Sequence, residues 1–189
     1  MDERPDDILM QKVREGDVAK LAILFERHHQ PLFAHFVRLT GDREGSEDLV
    51  QDVFFRVLKY RHTFQDGSSF RAWMYQVARN AWLDSTRKRK GEVLMIDDPE
   101  RNLREPASTA ADPSEAFHAR EQARLMRRAL ASLPVEKREV LLLSRFQNLK
   151  YEQIAEILAC DIGAVKVRVY RAVKALGQIF LELSGEKAS

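Results

Sequence analysis

The sequence predicts an all-α protein: two small helical domains joined by an acidic, flexible linker, the second domain carrying a helix-turn-helix. Three observations carry this expectation. Apolar residues recur at helical spacing along most of the 189 residues, with no strand-like alternation. Between Gly91 and Glu115 the composition shifts: three of the six prolines sit there among small and acidic residues, with no sustained apolar period. Near the C-terminus, two short helical patterns flank a tight turn. The boundaries drawn from these signals are 1–90, 91–115 and 116–189.

Taken in order, residues 6–15 read as a short helix stopped by Gly16, and Asp17 is positioned to cap the next. That helix carries Leu21, Leu24, Phe25, Leu32, Phe33, Phe36 and Val37, and Pro31 within it should kink or divide it. Thr40-Gly41-Asp42 breaks the pattern, and Ser46 is expected to cap the following helix. In that helix Leu49, Val50, Val53, Phe54, Val57 and Leu58 form a buried stripe. Asp48, Gln51, Asp52, Phe55 and Lys59 share the opposite face. An exposed apolar residue is ordinary; an aromatic ring framed by carboxylates also has the make-up of a protein-binding hot spot for a basic partner helix.

From Phe64 to Lys90 a polar turn leads into one long helix with Ser69 as its N-cap. Phe70, Met74, Val77 and Ala81 face a core, while Arg71, Tyr75, Arg79 and Trp82 alternate cation and ring on another side. Arg87, Lys88, Arg89 and Lys90 close the helix. Rings stack on unpaired bases and cations track phosphate, so the pattern suits single-stranded nucleic acid. It equally fits a buried amphipathic helix with a solvated basic end.

Beyond the linker, whose Val93-Leu94-Met95-Ile96 is a short apolar docking point, Ser114 caps a helix ended by Pro134, and Pro134 opens the next. Val140, Leu141, Leu143 and Phe146 or their neighbours pack it. Tyr151, Ile154, Ala155 and Leu158 mark the first helix of the helix-turn-helix, and Asp161 caps the second. Ile162, Val165, Val169, Val173 and Leu176 form its inner stripe. Its outer face carries Ala164, Lys166, Val167, Arg168, Arg171 and Lys174. Small residues at the N-terminal end permit approach to base edges, and cations further along reach phosphate. A helical hairpin in a bundle is the plainer alternative.

Composition excludes several classes. No run reaches the roughly 18 apolar residues of a membrane span. The start, MDERPDDILM, lacks the order of a secretory signal, so the chain is expected in the cytoplasm without membrane insertion. One cysteine, Cys160, allows no internal disulfide and no paired-cysteine zinc site. His28, His29 and His35 lie close together without partners at ligand spacing, and neither metal nor cofactor is expected. No nucleophile–base set or phosphate-cradling glycine loop is apparent, so the chain is read as a non-enzyme. The net charge of +2 attracts DNA only weakly, but basic residues cluster in 71–90 and 166–174. A one-component regulator with a sensing N-terminal half is the main rival, and it has no need of the 64–90 stretch.

Three stretches together resemble the sigma-70 family of RNA polymerase initiation factors, above all its extracytoplasmic-function (ECF) subfamily. They are DLVQDVFFRVL at 48–58, FRAWMYQVARNAWLDSTRKRK at 70–90 and LPVEKREVLLLSRFQNLKYEQIAEILACDIGAVKVRVYRAVKAL at 133–176. The resemblance implies a dissociable factor that binds core polymerase, recognises −10 and −35 promoter elements and promotes melting. It implies that Asp48, Gln51, Asp52 and Phe55 grip the coiled coil of the largest polymerase subunit, and that the factor also meets the polymerase flap. Phe64, Gln65, Asp66, Ser68 and Ser69 would form or flank a pocket for flipped −10 bases, with Trp73, Arg79, Asn80, Arg87 and Lys88 nearby. Ala164, Lys166, Val167, Arg168, Arg171 and Lys174 would read the −35 duplex. An anti-sigma factor is an expected partner. Ala164 and Val167 stand where a hydroxyl residue is common in the family, Lys150 where a Ser or Thr cap is common, and Trp82 where a small residue is frequent. An apolar contact to a thymine methyl would replace the lost hydroxyl bonds.

Overall fold

The computed structural model describes residues 5–92 and 113–185. Most of the linker, including 93–96, lies outside the described residues. Among the described residues, eight α-helices run in order: α1 (Asp6–Arg14), α2 (Lys20–Thr40), α3 (Arg43–Lys59), α4 (Phe70–Glu92), α5 (Pro113–Ala131), α6 (Val135–Leu141), α7 (Tyr151–Leu158) and α8 (Ile162–Ser184). A 3-10 turn at Arg61–Thr63 precedes α4, and a π-helical turn at Leu142–Phe146 prolongs α6. There is no strand among the described residues.

Helices α1 to α4 form the first lobe around Leu9, Met10, Leu24, Leu32, Phe36, Val53, Val57, Phe70 and Met74, all sealed from solvent. Each such side chain contributes about 1.5–3 kcal/mol through burial, and Phe36→Ala would cost about 3–5 kcal/mol by leaving a cavity. The second lobe closes around Leu142, Ile154, Val165 and Ala172.

Several helix boundaries differ from the sequence expectation, each for a local reason. α2 runs unbroken through Pro31, whose position is exposed, so water can serve the carbonyl that proline leaves unbonded. It stops at Gly41, whose φ of 76° is left-handed. Asp17 pairs with Lys20 at 3.8 Å instead of capping, and Ala19 precedes the helix. Asp42, not Ser46, caps α3: its carboxylate accepts from the Gly45 amide at 2.9 Å, and Ser46 is buried one turn in, donating to the Asp42 carbonyl. α5 begins at Pro113, one residue before Ser114. In α8, Ile162 and Val173 of the proposed inner stripe are exposed, and Ala172 is buried with Val165 and Val169. A small residue at 172 lets the helix sit close to its neighbours.

The lobes touch. α4 packs against α7, and α2 against α5, α6 and the π-helical turn. Arg138 donates to the Leu39 carbonyl at 2.8 Å, serving the last turn of α2. Arg38 lies over the Phe146 ring at 5.1 Å.

Candidate polymerase and nucleic-acid interfaces

The face of α3 emerges as the sequence predicts. Asp48, Gln51 and Phe55 are exposed, Phe55 at 64%, and Asp52 is half-buried beside them. Arg56 fixes Asp52: it donates to that carboxylate at 3.0 Å and to Asp84 of α4 at 2.7 Å. Burial works against the Arg56 charge, but the two carboxylates outweigh it and hold the guanidinium above its ordinary value. The acidic face is therefore braced from α4 as well as from its own helix.

The loop before α4 is held from a distance. Arg14 of α1 donates to the Phe64 carbonyl at 2.9 Å and to Asp66 at 2.6 Å. Asp7 accepts from the Phe70 amide at 2.6 Å, so α1 supplies a cap for α4, while Ser69 takes the Ala72 amide only weakly at 3.4 Å. These braces span 50 to 63 residues of sequence and have no local signal. Gln65 and Asp66 are exposed; Ser68 and Ser69 are half-buried.

Two rings change role. Phe64, expected to contact −10 DNA, is 1% exposed and packs edge-on against Trp73 at 5.5 Å. Its ring cannot meet a base; it supports the half-buried Trp73 instead. Tyr75, read as part of the cation-and-ring face, is buried against His35 at 5.1 Å. The i+4 step from Arg71 carried it inward, beside Met74 and Ala78. Burial raises the Tyr75 hydroxyl above its usual range and pushes His35 down to about 3, with Arg38 adding to the latter. His35 Nδ1 is buried without a hydrogen-bond partner. No group of residues suited to a metal ion occurs among the described residues.

Further along α4, Asn80, Arg87 and Lys88 are exposed. Arg87 lies 3.5 Å from Asp84, and Arg89 reaches Asp42 at 3.0 Å. Arg79 is half-buried and donates through Nε to Glu139 of α6 at 2.8 Å. Burial pushes the Glu139 carboxyl up, against the pull of Arg79.

On α8, Lys166, Val167, Arg168, Arg171 and Lys174 are exposed, and Ala164 is half-buried at the start. The Asp161 carboxylate caps the helix through the Ala164 amide at 2.8 Å. Ala159 makes the preceding turn at φ 50°. Tyr170, 69% exposed, completes this face and was missed in the sequence. Counting i+3 from Val167 and i+4 from Lys166 would have found it. At the start of α7, Lys150 offers no acceptor, and Gln153 instead accepts from the Lys150 amide at 3.0 Å.

The structure thus combines an acidic face centred on an exposed ring, a braced polar loop before a basic helix, and a capped helix-turn-helix with a cationic outer face. The Sigma-70 region 2 family matches residues 24–92, and the Sigma-70 region 4 family matches residues 123–176. The ECF RNA polymerase sigma factor EcfG of Rhodopseudomonas palustris is 35% identical over 143 residues, covering 75% of this chain and 74% of that protein. The ECF RNA polymerase sigma factor SigE of Mycolicibacterium smegmatis is 31% identical over 165 residues, covering 87% of this chain but 63% of that protein. Among solved structures, the sigma factor RpoE of Bartonella quintana, crystallised with the anti-sigma factor NepR, matches with a TM-score of 0.69 and 26% identity. That match covers 84% of this chain and 94% of that one. CnrH, solved with the cytosolic domain of CnrY, shares the fold with a TM-score of 0.68 at 22% identity, covering 92% and 96%. The chain belongs to the ECF sigma factors of the sigma-70 family, RNA polymerase subunits that recognise promoters to initiate transcription. No helix among the described residues is long and apolar enough to cross a membrane.

Proposed function

We propose that the chain acts in the cytoplasm as a dissociable, non-catalytic specificity subunit of RNA polymerase, with its labour split between two lobes. Residues 1–90 dock on core and capture the opened −10 strand; residues 116–189 read the −35 duplex. The observation that carries this is the coexistence, on one chain, of an open acidic face centred on Phe55 and an open cationic face on α8. A rigid aromatic in an acidic frame suits a basic helical partner, such as the coiled coil of the largest polymerase subunit.

In this reading Asp48, Gln51 and Phe55 meet the coiled coil while Arg56 holds Asp52 in register. The loop from Gln65 to Ser69, braced by Arg14, receives flipped bases; Trp73 offers a stacking face and Arg79, Asn80, Arg87 and Lys88 track phosphate. Extruding a base costs a few kcal/mol, and stacking returns about 1–3 kcal/mol per base. Melting is then nearly balanced and needs no ATP once polymerase contacts are added. Lys166, Arg168, Arg171 and Lys174 grip phosphate and base edges, Ala164 and Val167 meet thymine methyls, and Tyr170 extends the contact. Two weak DNA sites on one tether raise each other's effective concentration. A partner of the anti-sigma type, as NepR is for RpoE, would act by covering these faces.

Run-off transcription with purified core polymerase on a genomic fragment library tests the reading. Initiation from a set of fragments sharing two spaced motifs is expected. Activity no higher than core alone would refute it.

A further inference from the structure

The loop that leads into α4 takes its shape from α1, a helix that precedes the residues matched by the region 2 family. α1 is itself firmly held. Leu9, Met10 and Val13 are sealed in the core. At its start Asp6 accepts from Arg27 of α2 at 2.6 Å and lies 2.7 Å from His28 Nε2. From this base two side chains reach the loop. The Asp7 carboxylate takes the Phe70 amide at 2.6 Å. The Arg14 guanidinium forks, with one arm on the Phe64 carbonyl at 2.9 Å and the other on Asp66 Oδ1 at 2.6 Å. Between these anchors the chain turns on itself. The Ser68 amide donates to the Gln65 carbonyl at 3.2 Å, and Gly67 stands third in the turn at φ 77°, a left-handed value that suits glycine. The Asp66 carboxylate is therefore engaged, whereas the Gln65 side chain is exposed and offers an amide that both donates and accepts. An exposed ion pair stabilises little by itself. Here the second arm, on the main chain beside a buried ring, turns the pair into a clamp, because a planar fork fixes the direction of both acceptors.

We propose that Arg14 is a positioning residue of the strand site: it presets the loop from Gln65 to Ser69 and so controls base selectivity without touching the base. Asp66 is its anchor and not a reader of base edges. This rests on the reading of that loop as the pocket for flipped bases. A loop ordered before the strand arrives pays no ordering cost on binding. A pocket rejects a wrong base only when its polar groups are held in place and left unpaired by the mismatch. Freed from Arg14, the loop adapts to any base, so binding persists while discrimination falls. The same bond balances the Asp66 charge, which would otherwise repel the strand's phosphates.

Selection from a randomised pool of short DNA single strands tests it, with the full chain on core polymerase and the bound fraction sequenced. Wild type should enrich a preferred base at one or more positions. Arg14→Ala should lower that enrichment roughly tenfold, the scale of one hydrogen bond to a charged group, with total strand binding and core affinity little changed. Asp66→Ala removes one arm from a side chain that is 69% exposed, so the fold is spared. It should lower enrichment about threefold, and the double variant should be no worse than Arg14→Ala. Enrichment by Arg14→Ala within about twofold of wild type would overturn the proposal. So would losses that multiply in the double variant, which would make Asp66 a reader in its own right. If circular dichroism shows Arg14→Ala without its helices, Asp66→Ala decides alone, and unchanged enrichment there overturns the proposal. A wild-type complex that enriches no base would overturn the base-pocket reading, and this proposal with it.

Discussion

Helices α8 and α4 are each 23 residues long and each carries a row of cations, yet they present those cations differently. On α8 the row is open: Lys166, Arg168, Arg171 and Lys174 project from a lobe whose core takes Val165, Val169 and Ala172, with Ala175, Leu176 and Ile179 packed against it. On α4 much of the surface is spent on structure. Phe70, Met74, Tyr75, Ala78 and Ala81 are buried, Trp73 rests on Phe64, Arg89 is tied to Asp42 and Arg79 to Glu139. The lesson is that a duplex reader can be preformed, because B-DNA offers its groove without rearrangement. In the proposed division of labour α4 meets a strand that exists only after opening, and its cations are the more engaged in structure.

Replacing Asp66 to Ser69 with alanines strikes at the loop that leads into α4 and should have the largest effect. Losing the proposed pocket for flipped bases, whose extrusion costs a few kcal/mol, should lower strand opening on polymerase by roughly 100-fold, read by permanganate reactivity, while duplex binding changes little. Phe55→Ala tests whether both helices depend on docking. A hot-spot loss of about 2 kcal/mol corresponds to roughly 30-fold weaker binding to core polymerase, with the fold intact by circular dichroism. If opening fell with core affinity unchanged, Phe55 would belong to the strand surface instead. Arg171→Ala probes the open side alone. It should weaken −35 duplex binding by about tenfold and reduce the salt slope by about one. An unaltered slope would remove this residue from the phosphate contacts.

The smallest effect at neutral pH comes from His35, under α4. Its folded value of about 3 lies below the ordinary 6.5, so the neutral ring is the form the core accepts. Stability is full above about pH 6.5 and declines as pH falls toward 3, because the unfolded chain takes the proton first. His35→Leu should flatten that decline in thermal melts and leave neutral-pH melting within a few degrees. A decline as steep as that of wild type would mean another group titrates. The ring faces Phe36 and Tyr75, with Arg38 the nearest charge acting on it.

Much of this was legible in the sequence, for identifiable reasons. Helices with long apolar periods, such as α3, showed their buried stripe and their exposed Phe55 directly. The Asp161 cap and the outer face of α8 followed from local spacing. What failed was contact between distant segments. Nothing around Phe64 says that Trp73 will cover it, and nothing in 64–70 says that Arg14 and Asp7 will brace the loop. Helical spacing sets Tyr75 with Arg71 and Arg79, yet the ring turns inward and packs against His35. Pro31 was read as a break, but an exposed proline leaves its unbonded carbonyl to water. The meeting of Arg79 with Glu139, 60 residues apart, had no sequence signature at all.

Permanganate reactivity of promoter thymines tests the split of labour most directly. It should be measured on polymerase complexes of the Asp66–Ser69 alanine variant and of Arg171→Ala, brought to equal occupancy. The account predicts that the loop variant sits on closed DNA, while Arg171→Ala, once bound, opens it as wild type does. Equal loss of reactivity in both complexes, or normal opening by the loop variant, would contradict it.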